Sequence, residues 1–490
     1  MLRNHLAIAA VLACLAGPAL AQQDSIRLGM VLEPPTLDPT GGAAAAIDEI
    51  VHANLFEGLT RFAPDGSIQP GLAESWEAKD GGRVHEFRLR TGVSFHDGAG
   101  FDAQDVVFSL DRARGEESTN AQKALFEDIE SVEAVAPDLV RVTLKGPDGN
   151  FPWKMAWGDA VIVDPASAAG NATNPVGTGP FRFSEWTQGD HVTLTRFDGY
   201  WGEKPALASA TFRFIADPTA AFAAMMAGDV DAFPNYPAPE TLPQLQADPR
   251  FKVIVGTTEG ETILSMNNAN PPLDNVKVRA AIAHAIDRQA IIDGAMFGYG
   301  TPIGSHFAPH HPDYVDLTAQ SAYDPERARA LLAEAGVSVP KLRLALPPPP
   351  YARRGGEIVA AQLRDVGIET EITNMEWAQW LESVFKGGDF DLTIVSHTEP
   401  LDIDIYGRQD YYFHYDRPEF VALMQQLKAT IDPTQRSALL VQAQEMLAAD
   451  HPAAFLFQLA KTGVADARIE GLWENAPTPA NDLTQVRWTE

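Results

Sequence analysis

The chain has 490 residues, with 37 Lys and Arg against 66 Asp and Glu, for a formal net charge of −29. That balance excludes a nucleic-acid binder, which needs a basic surface to neutralise phosphates. With 45% hydrophobic and 21% charged residues the chain is globular, and its length requires roughly two or three compact units.

The first segment reads as removable. Arg3 supplies a short positive start, Leu6 to Leu15 an apolar run, and Ala19-Leu20-Ala21 an A-x-A cleavage site before Gln22, the pattern of an export signal over 1–21. The run is too short to span a bilayer, and no later stretch approaches about 18 uninterrupted apolar residues. The mature chain is therefore expected to be soluble and exported. Its one cysteine, Cys14, lies in this leader, which leaves the mature chain without a thiol or disulfide. Val11-Leu12-Ala13-Cys14 offers lipid anchoring at Cys14 as an alternative, but Leu12 fits such a site poorly and the apolar run ahead of it is very short.

Ser25 to Leu32 reads as the first strand and Glu33-Pro34-Pro35 as the loop that leaves it. Ile47 to Leu55 is expected to be helical, and Pro64-Asp65-Gly66 to turn. Val84 to Arg90 alternates with a period of two, as a half-buried strand does. After turns at Thr91-Gly92 and Phe95–Gly98, Asp102 caps a helix whose face carries Val106, Val107 and Leu110. Strands and helices alternate to about Leu144, a small α+β unit. Trp153 and Trp157 stand four apart, either walling a pocket or packing. Gly177-Thr178-Gly179 is no nucleotide loop, because no third glycine and no helix follow in register. Asp217-Pro218 opens a helix that closes at Ala227-Gly228. An apolar strand from Thr262 to Met266 begins a new unit. There, helices at Asp274 to Asp287, Asp324 to Gly336, Arg354 to Val366 and Glu376 to Phe385 alternate with strands at Ile368 to Thr373 and Phe390 to Val395, an α/β pattern.

Several of these stretches form a recognisable set: PGLAESW (70–76), FRLRTGVSFHDG (87–98), AQDVVFSL (103–110), GTGPF (177–181), Tyr200-Trp201-Gly202, and the helix with Val278-Arg279-Ala280 and Ala285-Ile286-Asp287-Arg288. The set resembles the signatures of the solute-binding proteins of peptide-type ABC importers (family 5). The resemblance implies an α/β periplasmic-binding-protein fold of two hinged lobes with an additional small α+β domain. It implies lobe I at 22–50, 181–262 and 480–490, the inserted small domain at 51–180, and lobe II at 263–479. It further implies a periplasmic monomer without cofactor that captures a solute in the interlobe cleft. The solute is then delivered to a membrane permease driven by an ATPase.

Catalytic and metal patterns are missing from the sequence. His306, His310 and His311 lie in a Gly/Pro-rich loop with no H-E-x-x-H motif and no Cys pair, so a surface loop rather than a metal site is expected. No G-x-S-x-G occurs, and an exported hydrolase, the remote alternative, would need a catalytic constellation that the sequence does not display. No enzyme is expected.

Binding groups are better represented. Tyr351-Ala352-Arg353-Arg354 stands at a strand-to-helix junction and resembles the family's NARR stretch, in which an Arg fork holds a ligand carboxylate. Either Arg353 or Arg354 is the equivalent, the other being a solvated charge. Glu376-Trp377 matches an EW pair whose Trp lines the pocket, with helix packing as the alternative. Where the family has GWxxD, with an Asp for the ligand amine, this chain puts His397 in the Trp position and Pro400 in the Asp position. Glu399, Asp402 and Asp404 are the candidate substitutes. Tyr406, Tyr411, Tyr412, Phe413 and Tyr415 follow, rings suited to a cation, a sugar or an aromatic side chain, or to ordinary packing. A peptide or peptide-like ligand is the first expectation. An oligosaccharide, opine or metal chelate is the second.

Overall fold

The structure, a computed structural model, describes residues 23–42, 44–399 and 401–489. The expected leader over 1–21, Cys14 and Pro400 lie outside the described residues.

Lobe I is built on the strand Ser25–Met30. It runs parallel to Ser209–Phe214, which pairs antiparallel with His191–Arg196, itself antiparallel to Phe181–Thr187. Alternation along these strands turns Ile26, Leu28, Val192, Leu194 and Phe212 into one core with Ile47, Ile50 and Val51 of the helix Ala45–Val51. The chain end returns to it: Leu483, Val486 and Trp488 are buried there, and the Trp488 indole donates to the Ser25 carbonyl at 2.9 Å.

Lobe II is the expected α/β unit. Leu342–Leu346 lies parallel to both Thr370–Asn374 and Leu392–His397. The helices Val276–Ala285, Arg288–Met296 and Pro350–Asp365 supply Val278, Ile282, Ile291, Val359 and Leu363 to its core.

Two long antiparallel strands, Phe251–Met266 of 16 residues and Ala453–Asp466 of 14, join the lobes into one sheet. From Phe251↔Asp466 to Thr257↔Ala460 they belong to lobe I, and from Glu261↔Gln458 to Ser265↔Ala453 to lobe II, with a register shift between. Residue 263 falls within the first of these strands, just past the crossing and at a second register shift, between Thr262 and Ile263. The strand 453–466, which the motif reading assigns to lobe II, delivers Val464 and Ala465 to lobe I cores. A strand about three times the common length of about 5 residues can serve two cores at once.

The small domain is an antiparallel sheet in the order Ala73–Lys79, Val84–Leu89, Leu139–Leu144, Ile129–Ala136. The helix Ala103–Arg114 covers it through Ala103, Val106, Leu110 and Ala113. Asp102 caps that helix by accepting from the Gln104 amide, while Asp105 accepts from the Asp102 amide, a reciprocal capping box.

The signature motifs meet in one knot between the small domain and lobe I. Glu57 accepts from Tyr200 Oη at 2.9 Å, Trp201 Nε1 at 2.8 Å and Thr178 Oγ1 at 2.9 Å. His96 accepts from the Gly177 amide and donates to the Gly179 carbonyl. The Arg90 guanidinium donates to the Gly71 carbonyl and lies 4.3 Å from the Trp201 ring centroid. In lobe II, Arg279 donates to the carbonyls of Leu273, Asp450 and His451, and Arg288 to those of Phe455 and Ser321. These side chains are structural; they fasten segments that are distant in sequence.

Candidate ligand-binding site

The three parallel strands of lobe II end on one edge, at Leu346, Asn374 and His397. The register Glu261↔His397 puts that edge at the crossing between the lobes. Carboxyl ends of parallel strands are where open α/β sheets receive ligands.

After Leu346 the proline run turns the chain into the helix Pro350–Asp365, so Arg353 and Arg354 occupy its first turns. The two diverge. Arg353 Nη2 donates to the Met375 carbonyl at 3.1 Å and to Glu376 Oε1 at 3.0 Å, while its buried Nε has no partner among the described residues. Arg354 is exposed and rests 5.5 Å from the Phe297 ring centroid, on the side of the helix Arg288–Met296. Of the two, Arg353 is the one held at the strand ends.

Trp377 is 41% exposed and meets the Trp380 ring edge-on at 5.6 Å. Trp380 is the packing residue, buried and donating from Nε1 to Thr393 Oγ1 at 3.0 Å. One turn of π-helix, Leu381–Lys386, follows; such turns recur at functional sites. Aromatic contacts continue from Trp380 to Phe385, from Phe385 to Tyr411 and from Tyr411 to His397, with centroid spacings of 6.2, 5.6 and 6.1 Å. They link the Arg353 end of the edge to the His397 end. Of the rings expected to form a ligand surface, Tyr406, Tyr412, Phe413 and Tyr415 are buried in a lobe II core. Tyr411 alone of these five is only partly buried, because the aromatic loop folds inward.

His397 lies 3.2 Å from the Tyr412 hydroxyl through Nε2 and 3.6 Å from Asp402 Oδ2 through Nδ1. Burial lowers its imidazole to about 4. Asp402 Oδ1 accepts from His306 Nε2 at 2.7 Å. Burial works to raise the Asp402 carboxyl, but His306 and His397 outweigh it and hold it below the ordinary range. Asp404 is paired with Arg408 at 2.9 Å, and Glu399 is exposed, accepting from the Thr398 amide at 3.2 Å. Asp402 is thus the inward-facing member of the acidic candidates.

The histidine loop is not a surface loop. The side chains of His306 and His310 are 1% exposed, because carboxylates from other segments meet them. His310 Nε2 lies 2.7 Å from Glu259 Oε1, and its Nδ1 lies 2.7 Å from Thr257 Oγ1. His311 packs edge-on against Phe307 at 4.9 Å. Glu259 and Glu261 do not figure among the residues predicted from sequence. Their signal is two acidic residues at alternate positions, Glu259-Gly260-Glu261, in a strand whose only other charged residue is Lys252; period two puts both on one face. Burial, chiefly, raises both carboxyls, and the His310 hydrogen bond opposes this for Glu259.

A groove of about 600 Å³ opens beside Asp402. Trp153, Lys154 and Trp157 of the small domain line one wall, and Leu401, Asp404 and Arg408 of lobe II the other. The two tryptophans also contact each other at 5.5 Å, so walling and packing are both realised.

The family described as bacterial extracellular solute-binding proteins, family 5 middle, matches residues 67–417. The dipeptide-binding protein of Escherichia coli (strain K12) is 29% identical over 434 residues, covering 79% of this chain and 80% of its own. The glutathione-binding protein GsiB of Pectobacterium atrosepticum is 32% identical over 387 residues, covering 77% and 74%. Among solved structures, HbpA2 from Haemophilus parasuis superposes with a TM-score of 0.87 at 25% identity, covering 95% of this chain and 100% of that one. The oligopeptide-binding protein AppA from Bacillus subtilis, in complex with a nonapeptide, gives 0.72 at 25% identity, covering 96% and 99%.

Proposed function

Because the chain belongs to the family 5 bacterial extracellular solute-binding proteins, and so serves an ABC importer as its substrate-binding component, we propose that its solute is a peptide or peptide-like zwitterion. The observation that carries this reading is Arg353. A guanidinium whose buried Nε has no partner among the described residues stands at the strand ends, and the Glu376 that shares its Nη2 with the Met375 carbonyl is exposed. Its planar fork suits a carboxylate. The acidic end of the same edge, at Asp402, suits an amine, and the exposed Trp377 suits a side chain between them. Relatives that bind dipeptide and glutathione support the class.

In this reading the exported chain loses its leader after Ala21 and acts as a periplasmic monomer. It closes lobe II over lobe I by hinge motion and hands its solute to a permease and ATPase without chemistry of its own. The lobes are proposed to divide near 50, 181 and 262, and again within the strand Ala453–Asp466, whose end packs on lobe I ahead of 480. A non-peptide ligand, an oligosaccharide, opine or metal chelate, is the second reading, favoured by His397 and the buried carboxylates in the stretch that departs from the GWxxD pattern.

Mass spectrometry of molecules released by denaturing the purified chain, followed by calorimetric titration of dipeptides and glutathione, tests the proposal. Short peptides or glutathione, bound more weakly by Arg353→Ala and equally by Arg354→Ala, would support it. Recovery of a solute without a carboxylate, or affinity indifferent to Arg353→Ala, would overturn it.

A further inference from the structure

Three segments far apart in sequence bring two carboxylates and an imidazole together beside the interlobe crossing, and one carboxylate is left incomplete. Glu261 is 3% exposed and its Oε2 has no hydrogen-bond partner among the described residues. One donor atom from each of Glu261, His306 and Asp402 lies within 4.8 Å of the other two. The groups around Glu261 are mostly carboxylates and histidines, Glu259, Asp402 and His306, with His310 behind Glu259; the amide of Gln458 also borders the carboxyl. No Lys or Arg among the described residues forms an ion pair with Glu259, Glu261 or Asp402. A buried carboxylate with an unsatisfied oxygen, facing a second carboxylate, is expensive. A dication between them would remove that cost.

We propose that Glu261, His306 and Asp402 bind one divalent transition-metal cation of the zinc, cobalt or nickel class. The donor set of one nitrogen and two oxygens suits these ions, whereas calcium and magnesium take oxygen alone. Metal–ligand bonds of about 2.1 Å put neighbouring donors about 3.4 Å apart, so the three groups need only small shifts, and the His306–Asp402 hydrogen bond gives way to shared ligation. An outer layer is already present. The Tyr406 hydroxyl lies 3.4 Å from His306 Nδ1, and His397 Nδ1 lies 3.6 Å from Asp402 Oδ2. Such partners orient metal ligands. Three protein ligands leave a position open, and Asp402 also lines the 600 Å³ groove, which provides access. A bound metal would take Asp402 from the solute's amine, leaving Arg353 and Trp377 to the solute; the metal is tested without any organic solute, so its failure leaves the solute-binding reading standing.

The experiment uses the full exported chain, stripped with a chelator and titrated with Co²⁺ and Zn²⁺. Native mass spectrometry reads stoichiometry, calorimetry reads affinity, and the visible Co²⁺ spectrum reads coordination. One ion per chain is expected, weakened roughly a hundredfold in Glu261→Gln and in His306→Ala and unchanged in Glu399→Gln. The Co²⁺ spectrum of the unaltered chain serves as a second readout independent of how the variants fold. No ion retained and no Co²⁺ band would overturn the proposal. So would an ion whose affinity is unaffected by Glu261→Gln but lost in Glu399→Gln, which would transfer it to His397, Glu399 and Asp402.

Discussion

The amide of Gly177 donates to Nδ1 of His96 at 3.2 Å, and this contact requires a bare backbone. A Cβ on Gly177 would lie 2.0 Å from the Leu55 carbonyl oxygen. The glycine of the GTGPF stretch is there for close approach rather than for phosphate. Gly177→Ala is expected to lose roughly 3 kcal/mol of stability, the scale of forced overpacking, as read by urea unfolding. A loss below about 1 kcal/mol would show that the knot yields easily.

Glu57, in the same knot, titrates in an unusual range. Burial pushes its carboxyl from 4.5 up to about 7 against hydrogen bonds from Trp201, Thr178 and Tyr200. A raised folded value means that the protonated form is the favoured one. The contribution of Glu57 is therefore full below pH 4.5 and lost as pH rises through about 7. Over that window it weakens by roughly 3 kcal/mol. Glu57→Gln removes the titration while the Tyr200 hydroxyl can reverse to accept from the new amide. The parent should thus lose stability relative to this variant between about pH 5 and pH 8. A constant difference across that range would refute the assignment.

His96 runs the other way. Burial lowers it from 6.5 to about 4, so its share is present above pH 6.5 and lost as pH falls through about 4. In His96→Asn, which keeps an acceptor for Gly177, the acid-side loss should shrink relative to the parent. Urea midpoints at several pH values check it, and an unchanged acid profile would count against a neutral buried imidazole.

Arg288 fastens the lobe II end of the sheet. It donates from Nε to the Phe455 carbonyl at 2.7 Å, and from its two terminal nitrogens to Ser321 O at 2.7 Å and Oγ at 2.6 Å. Arg288→Ala should cost roughly 3–5 kcal/mol, because these acceptors stay buried and unpaired. Arg288→Lys should recover only part of it, since an ammonium cannot reproduce the fork. Full recovery by Lys would mean that charge alone matters.

The two tryptophans of the 377–380 turn should separate by function. Trp380→Ala empties a buried site and is expected to cost roughly 3–5 kcal/mol. Trp377→Ala should change stability by no more than about 0.5 kcal/mol, as surface substitutions do, yet weaken solute binding severalfold. Calorimetry and urea unfolding on both variants decide it. Equal affinity in Trp377→Ala would remove that residue from the site.

Much of the scaffold is legible in the sequence because its signals are local. Period-two alternation marks Val84–Leu89, Asp102 and Asp217 announce helix starts, and the motif glycines and arginines mark fixed contacts. The α/β character of the unit around Leu342–His397 also reads from alternating strand and helix patterns, whereas the strand Leu342–Leu346 and its parallel pairing do not. The site is less legible because its pairings are long-range. His306 and Asp402 are 96 residues apart, and His310 and Glu259 are 51 apart, so no ligand spacing appears along the chain. The choice between Arg353 and Arg354 is equally invisible, since neighbouring helical positions point about 100° apart and only the packing partners decide which faces the strand ends.

The pair of strands that crosses between the lobes also has a mechanical consequence. Force applied along Phe251–Met266 and Ala453–Asp466 is shared in shear by every rung of their ladder, so the two halves resist being pulled apart. Torsion about the ribbon axis stretches few rungs, and the irregular step between Thr257 and Glu261 leaves a stretch with none to stretch. The molecule is thus expected to act as two vanes on one torsion bar, stiffer in tension than in twist, with side-chain hydrogen bonds from Thr258 and Gln458 bridging the irregular step next to the buried carboxylates.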